Sequence, residues 1–510
     1  MRLAIGVIGM ALLTGCATTG PAEQSGRTAE SFVLKSDSGN AVGTSLTRIN
    51  ALNRGGPRLN AVIATLPLRD VAEQAATLDV EASQGRARSP LHGAPVLLKD
   101  NIAIAGQPTT AGSLALADNV AAADAPLVAR LREAGLVILG RTNLSEWANI
   151  RSTNSTSGWS AVGGLTVNPW GVGRNACGSS SGSAAAVAAR LAPLAIGTET
   201  DGSITCPAGV NGVVGFKPSL GVVSGVGVVP IAHSQDTAGP MARTVTDAAA
   251  LLDAMRTDGK RIGTLPKGAL NGVRIGVLRD RIGDDAAIVA AFDAALGEMR
   301  AKGATVVEIA DSRSGLDGLG DAELVVLLAE LKSDMAAYLA TTDPARVPSR
   351  TLADLIAFNK ANAEELRYFN QDLFEQAQAG PTACAPNATG CVPDPAYVTA
   401  LQTSKSLAKG KLASLLKDND VVALIGVTNG PAWRSTLGKG DQFSGPSVSQ
   451  LPAIAGAPHL TVPMALVRGL PVGLSFIGAI GDDARVLALG HAFQTGRPAF
   501  PEPPLTATAP

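Results

Sequence analysis

Apolar positions along this chain fall into two alternating kinds of run. Short, nearly unbroken ones recur at "APVLLKDNIAIAG" (94–106), "VRIGVLRD" (273–280), "ATVVEIAD" (304–311), "DVVALIGV" (420–427) and "HLTVPMAL" (459–466). Such runs read as buried strands. Between them lie longer stretches with apolar residues at helical spacing, such as "DDAAIVAAFDAALGEMRAKG" (284–303). "APLVARLREAGLVILGRTN" (125–143) and "AAAVAARLAPLAIGTET" (184–200) each pass from helix to strand. "LTRINALNRGGPRLNAVIATLPLRDVAEQAATLDVEASQG" (46–85) has helical periodicity broken by Gly-Gly-Pro and predicts two or more helices. Strands alternating with helices predict an α/β fold around a central mixed, mostly parallel β-sheet with helices on both faces. No solenoid-like repeat and no long linker interrupts the pattern. Residues 378–397 read as a loop and 499–510 as a Pro-rich tail over the surface or disordered.

The N-terminus adds a different signal. Arg2 precedes an apolar stretch from Leu3 to Leu13 that is too short to span a bilayer, and small residues follow. Leu13-Thr14-Gly15-Cys16 resembles a bacterial lipobox. The expectation is a lipoprotein-type signal peptide over 1–15, cleavage before Cys16, lipidation of its thiol and a tether over 16–44. The protein would then be exported, periplasmic or held at a membrane only through that lipid. Four cysteines remain for an oxidising compartment. Cys384 and Cys391 flank the turn-rich "APNATG" and are a candidate disulfide; Cys177 and Cys206 are a further pair whose Cα separation the sequence does not supply.

A formal net charge of −1, without a long run of either sign, leaves no electrostatic footprint for nucleic acid. The four histidines, His92, His233, His459 and His491, are far apart and no Cys/His cluster has metal-ligand spacing, so no metal and no other cofactor is expected.

Candidate chemistry concentrates in "RNACGSSSGSAAAVAARLAPLAIGTETDGSITCPAG" (174–209). A flexible Gly/Ser linker would not run directly into an Ala-rich helix and an apolar strand. Gly178-Ser179-Ser180-Ser181-Gly182 satisfies G-x-S-x-G, but a nucleophile elbow needs a strand before the serine, where "NPWGVGRNAC" is loop; His459 and His491 would have to complete that triad. Ser406-Leu407-Ala408-Lys409 matches S-x-x-K within a polar helical stretch and reads as a solvated face. The remaining mechanism is a serine activated by lysine.

Here the chain resembles the amidase signature family, whose pattern is a Gly-Gly-Ser-Ser-Gly-Gly-Ser loop, an Ala-rich helix and Gly-Thr-Asp-x-Gly-Gly-Ser. The two serines of that pattern are 24 residues apart, as are Ser179 and Ser203, and its Pro-Val-x-x-Lys-Asp segment matches Pro95-Val96-Leu97-Leu98-Lys99-Asp100. "GRTNLSEWAN", "VGFKPSLGVVS", "SQDTAGPMARTV" and "GLPVGLSFIG" extend the likeness, which implies one large domain over 45–498. Within the family the chain is most similar to bacterial peptide amidases. The resemblance implies that Ser203 is the nucleophile, that Ser179 is a proton bridge preceded by a cis peptide bond, and that Lys99 is the base. It also implies an oxyanion hole from the backbone N–H groups of Thr200, Asp201, Gly202 and Ser203, and a monomer acting on a small amide or peptide amide.

The family's aspartate after Gly-Thr is Glu199 here, its next glycine is Asp201, the arginine after Ser-Ile is Thr205, and Ser181 and Cys177 replace loop glycines. As base, Lys99 must be neutral, which burial beside Pro95–Leu98 would favour. Asn149, Arg151, Trp159 and Trp433 are candidates for the entrance; Gln235 and Asp236 are expected to brace the site, and His233 to be structural. Two other functions fit the same residues: the glutaminase component of an amidotransferase, and an envelope binding protein that kept the fold without activity.

Overall fold

The computed structural model describes residues 37–505, so the expected signal peptide, Cys16 and most of the expected tether lie outside the described residues. Eleven strands form one sheet: β1 (Val62–Thr65), β2 (Pro95–Lys99), β3 (Val137–Thr142), β6 (Leu194–Glu199), β7 (Val214–Lys217), β8 (Thr237–Ala242), β9 (Arg274–Leu278), β10 (Thr305–Ile309), β11 (Ala423–Val427), β12 (His459–Val467) and β13 (Leu470–Ile477). A separate two-stranded ribbon pairs β4 (Trp159–Ser160) with β5 (Gly164–Leu165). The order across the large sheet is β1-β3-β2-β6-β8-β7-β12-β13-β11-β9-β10. Every residue of β2, β3, β6, β8, β11 and β13 is buried, so the middle of the sheet is covered on both faces.

The sheet is mixed, as expected, but six of its ten neighbouring pairings are antiparallel, which corrects the expectation of a mostly parallel sheet. Parallel pairing is confined to β3-β2-β6 and β11-β9-β10. The antiparallel centre follows from β6 meeting β8 and from the β12–β13 hairpin, whose turn residues Arg468 and Gly469 have φ of 51° and 76°. Two positive φ values in a two-residue loop let antiparallel strands keep their twist.

Among the described residues, the first six α-helices are α1 (Ser38–Arg48), α2 (Leu68–Ser83), α3 (Pro126–Glu133), α4 (Ser181–Ala188), α5 (Thr205–Asn211) and α6 (Val245–Met255). Helix α1 takes up residues 38–44 of the expected tether, and Val42 lies in the main core. Its buried positions, Ser38, Val42 and Ser45, are too sparsely apolar to announce a helix. The stretch 46–85, expected to hold two or more helices, also contains β1. Helix α4 is buried at all eight positions and packs on β6, β2 and β3. Small side chains make that approach possible: a Cβ on Gly182 would stand 2.3 Å from the Ala61 carbonyl oxygen. Residues 499–505 of the expected tail lie against the body through Phe500, whose ring stacks edge-on against Trp170 at 5.8 Å, and through a Glu502–Arg190 ion pair.

Candidate active site

Strand β2 delivers Lys99 from a run, Val96–Leu98, with no solvent exposure, and Lys99 itself is fully buried. Its Nζ lies 2.7 Å from Ser179 Oγ, 2.8 Å from Thr198 Oγ1 and 3.2 Å from the Thr198 carbonyl oxygen. A neutral amine has two N–H groups for the two Thr198 acceptors and a lone pair left for the Ser179 hydroxyl proton. An ammonium satisfies the same three oxygens with three protons. Burial pushes the Lys99 pKa down to about 7, with the Asp236 and Glu199 carboxylates pulling the other way. Asp100, next along the chain, is directed to Arg141 and Thr110 instead.

Ser179 follows a cis peptide bond from Gly178. Its carbonyl accepts from the Ser145 N–H at 3.0 Å. The neighbouring Ser180 ties the loop to the far end of the motif: its N–H donates to the Ser203 carbonyl at 3.1 Å, and its hydroxyl donates to the Thr198 carbonyl at 3.0 Å. A disulfide between Cys177 and Cys206, with Cα atoms 6.0 Å apart, joins the same two segments covalently. Cys384 and Cys391 form the second disulfide, across a surface loop.

Ser203 is 8% exposed, and its hydroxyl makes no hydrogen bond with a described residue. The backbone N–H groups of Thr200, Asp201, Gly202 and Ser203 also donate to none. Gly202 turns the chain there with φ +78°. The departures from the family pattern have structural roles around this turn. Glu199 Oε2 accepts from the Ile204 N–H at 2.7 Å and the Thr205 N–H at 2.9 Å, so it caps the start of α5 directly after Ser203. Asp201 carries one carboxylate oxygen, Oδ1, buried without a hydrogen-bond partner. Burial and the nearby Glu323 carboxylate hold the Asp201 pKa well above the ordinary carboxylate range.

Gln235 and Asp236 brace the turn from β8's approach. Gln235 Nε2 donates to the Thr200 carbonyl at 3.3 Å and to Glu323 Oε1 at 2.9 Å. Asp236 accepts the Thr200 hydroxyl at 2.6 Å and the Ile231 and Ala232 N–H groups; burial raises its pKa to about 6. Glu323 and Gln450, bonded at 2.9 Å, complete the bracket and carried no signal in the sequence. They come from segments more than a hundred residues downstream of Ser203, with no motif around them.

Other candidates separate cleanly. Arg151 is fully buried, stacked 4.1 Å from the Phe369 ring centre and paired with Glu146, so it supports the core rather than the entrance. Trp159 packs edge-on between Tyr368 and Phe369. Asn149 donates to Ser157 Oγ at 2.9 Å, and Trp433 packs with the Cys177–Cys206 bridge and edge-on against Phe443. His459, whose pKa burial lowers to about 3, bonds Ser475 Oγ at 2.7 Å, and His491 contacts Thr246, so neither completes an elbow triad with Ser180. Ser406 and Lys409 are exposed on the helix Pro395–Asp418. His233, Glu330 and Asp334 bring ligand atoms within 4.8 Å of one another. They are engaged already: His233 Nδ1 lies 2.8 Å from Asp334, and Glu330 accepts from Tyr397 and the Ser234 N–H.

Comparison with known proteins gives consistent matches. The family model described as Amidase matches residues 40–385. The structure of native peptide amidase from Stenotrophomonas maltophilia superposes with a TM-score of 0.84 at 44% identity, covering 92% of this chain and 95% of that one. A probable amidase of Arabidopsis thaliana is 36% identical over 88% of this chain and 85% of its own length. One subunit of the glutamyl-tRNA(Gln) amidotransferase of Symbiobacterium thermophilum is 33% identical over 86% of this chain and 90% of its own.

Proposed function

Because the chain belongs to the Amidase family, and is an amide-hydrolysing enzyme, we propose that it cleaves C-terminal peptide amides or related small carboxamides through an acyl-enzyme on Ser203. The observation that carries this reading is the buried Lys99 amine 2.7 Å from Ser179 Oγ, in a loop bonded to Ser203. The 44% identity to a peptide amidase supports the substrate class.

Neutral Lys99 takes the Ser179 proton as Ser179 Oγ takes the proton of Ser203, and Ser203 Oγ attacks the carboxamide carbon. The unengaged N–H groups of residues 200–203 receive the oxygen as it becomes negative, each donor contributing about 3 kcal/mol in such holes. The C–N bond breaks as the proton held on Lys99 returns through Ser179 to the leaving nitrogen, releasing ammonia. Water then attacks the ester, giving its proton to the same relay, and Ser203 leaves with a proton. No step uses a cofactor.

Ammonia release across peptide amides, amino-acid amides, glutamine and simple aliphatic amides tests the substrate. Preference for peptide amides supports the reading. Exclusive turnover of glutamine favours the amidotransferase-type alternative, and turnover of aliphatic amides alone overturns the peptide amide assignment.

Export with lipidation at Cys16 belongs to the same proposal. It is supported by residues 1–16 and by two disulfides, which persist in oxidising compartments. Among the described residues no helix is long and apolar enough to cross a membrane. Metabolic labelling with a fatty acid, lost on Cys16→Ala, is the expected result; label retained without Cys16 contradicts it.

A further inference from the structure

Three arginines from three elements meet at the end of β6 and β8 opposite to Lys99. Arg48 ends α1, Arg190 follows α4, and Arg243 follows β8. Together with Asn40 and Thr44 of α1 and Pro193 before β6, they line a cavity of about 300 Å³. Strand β6 starts beside it at Leu194 and ends at Glu199 in the reacting turn, a run of roughly 17 Å at strand rise. The cavity is therefore separate from the amide site.

Its electrostatics are unbalanced. Glu502 pairs with Arg190 at 2.7 Å, at an exposed position, and the Asp247 carboxylate on α6 acts on Arg243. Among the described residues, two carboxylates thus stand against three guanidinium groups. Burial and the Arg190 and Arg48 charges hold the Arg243 pKa below its ordinary value, with Asp247 and Glu502 opposing. Arg48 Nη2 donates to the Ala189 carbonyl at 2.8 Å, but Arg48 Nε and Arg243 Nη1 are buried with no acceptor among the described residues. Buried donors and uncompensated charge both cost free energy, and an anion among the guanidinium groups relieves both.

We propose that this cavity binds a phosphate group, as a soluble phosphate ester or as the headgroup of an anionic phospholipid. Guanidinium forks pair two by two with oxyanion edges, and three of them offer more donors than the two oxygens of a carboxylate accept. A phosphate monoester presents three terminal oxygens. The space beyond one phosphate suits an attached organic group, with the exposed Asn40 amide and Thr44 hydroxyl at the rim as neutral partners.

The test uses the full chain and its R48Q/R243Q variant. Thermal unfolding is followed against inorganic phosphate, sn-glycerol 3-phosphate and, at matched ionic strength, chloride. Saturable stabilisation by either phosphate but not by chloride is expected, with at least tenfold weaker apparent affinity in the variant. Wild-type amide turnover by the variant shows that it is folded. Retention on phosphatidylcholine vesicles containing phosphatidylglycerol, lost in R48Q/R243Q, assigns the headgroup source; stabilisation by the soluble phosphates without such retention assigns the free ester. No saturable response to phosphate, glycerol phosphate or vesicles, or responses equal in wild type and variant, overturns the proposal.

Discussion

Lys99 Nζ and Ser179 Oγ, brought together from positions eighty residues apart, lie 2.7 Å from each other with no solvent at the lysine. As the proposed base Lys99 must be neutral, and its pKa of about 7 then predicts that kcat/KM rises with pH through about 7 and levels off above it. Lys99→Ala should reduce turnover by about 10²- to 10⁴-fold, the range of general-base contributions, and remove that rise. A pH–rate profile on a peptide amide measures both.

The same shift affects folding. The Lys99 pKa in the folded protein is below its ordinary 10.5, so between about 7 and 10.5 the unfolded chain binds the extra proton. Stability from this site therefore increases as pH rises across that window. Denaturant unfolding at several pH values should show a wild-type gain across the window that Lys99→Met lacks.

Asp201 and Glu323 supply a second pH effect. Burial and the Glu323 carboxylate displace the Asp201 ionisation upward in pH, so as pH rises that ionisation should place a negative charge beside the 200–203 turn and lower the rate. Asp201→Asn stays uncharged at every pH and should lose that fall. Glu323→Gln removes one cause of the upward shift and should move the fall to lower pH.

The capping contacts of Glu199 predict a structural cost. Glu199→Ala removes the acceptor for the Ile204 and Thr205 N–H groups and should cost about 1–2 kcal/mol of stability, with a fall in kcat because Ser203 precedes the cap directly. Calorimetry with steady-state kinetics checks this, and Glu199→Gln should recover part of the loss.

The Cys177–Cys206 bridge closes a 29-residue separation around the site. Loss of such a crosslink costs about 3–4 kcal/mol on chain-entropy grounds. C177A/C206A should be destabilised by that order in urea, whereas C384A/C391A, which opens a separation of only 7, should lose less.

What the sequence made legible was governed by local constraints. Apolar strand runs, the spacing of Ser179 and Ser203, and the lysine at the end of β2 are all written within short windows. The misjudged parts depended on contacts at a distance. The antiparallel centre rests on the Arg468-Gly469 turn and on which strands β6, β7 and β13 find as neighbours, and neither is set by helix–strand alternation. Arg151 reads as a polar loop residue until Glu146, Phe369 and Glu365 close around it. Glu323 and Gln450 become part of the site only when their segments fold against Gln235.

Peptide mass mapping after fluorophosphonate treatment of the folded protein tests the proposal that Ser203 is the nucleophile and that Lys99 activates it through Ser179. One covalent adduct is expected, on Ser203, absent in Ser203→Ala and much slower to form in Lys99→Ala and Ser179→Ala. An adduct on Ser179 or Ser180, or none on Ser203 in active wild-type protein, would contradict it.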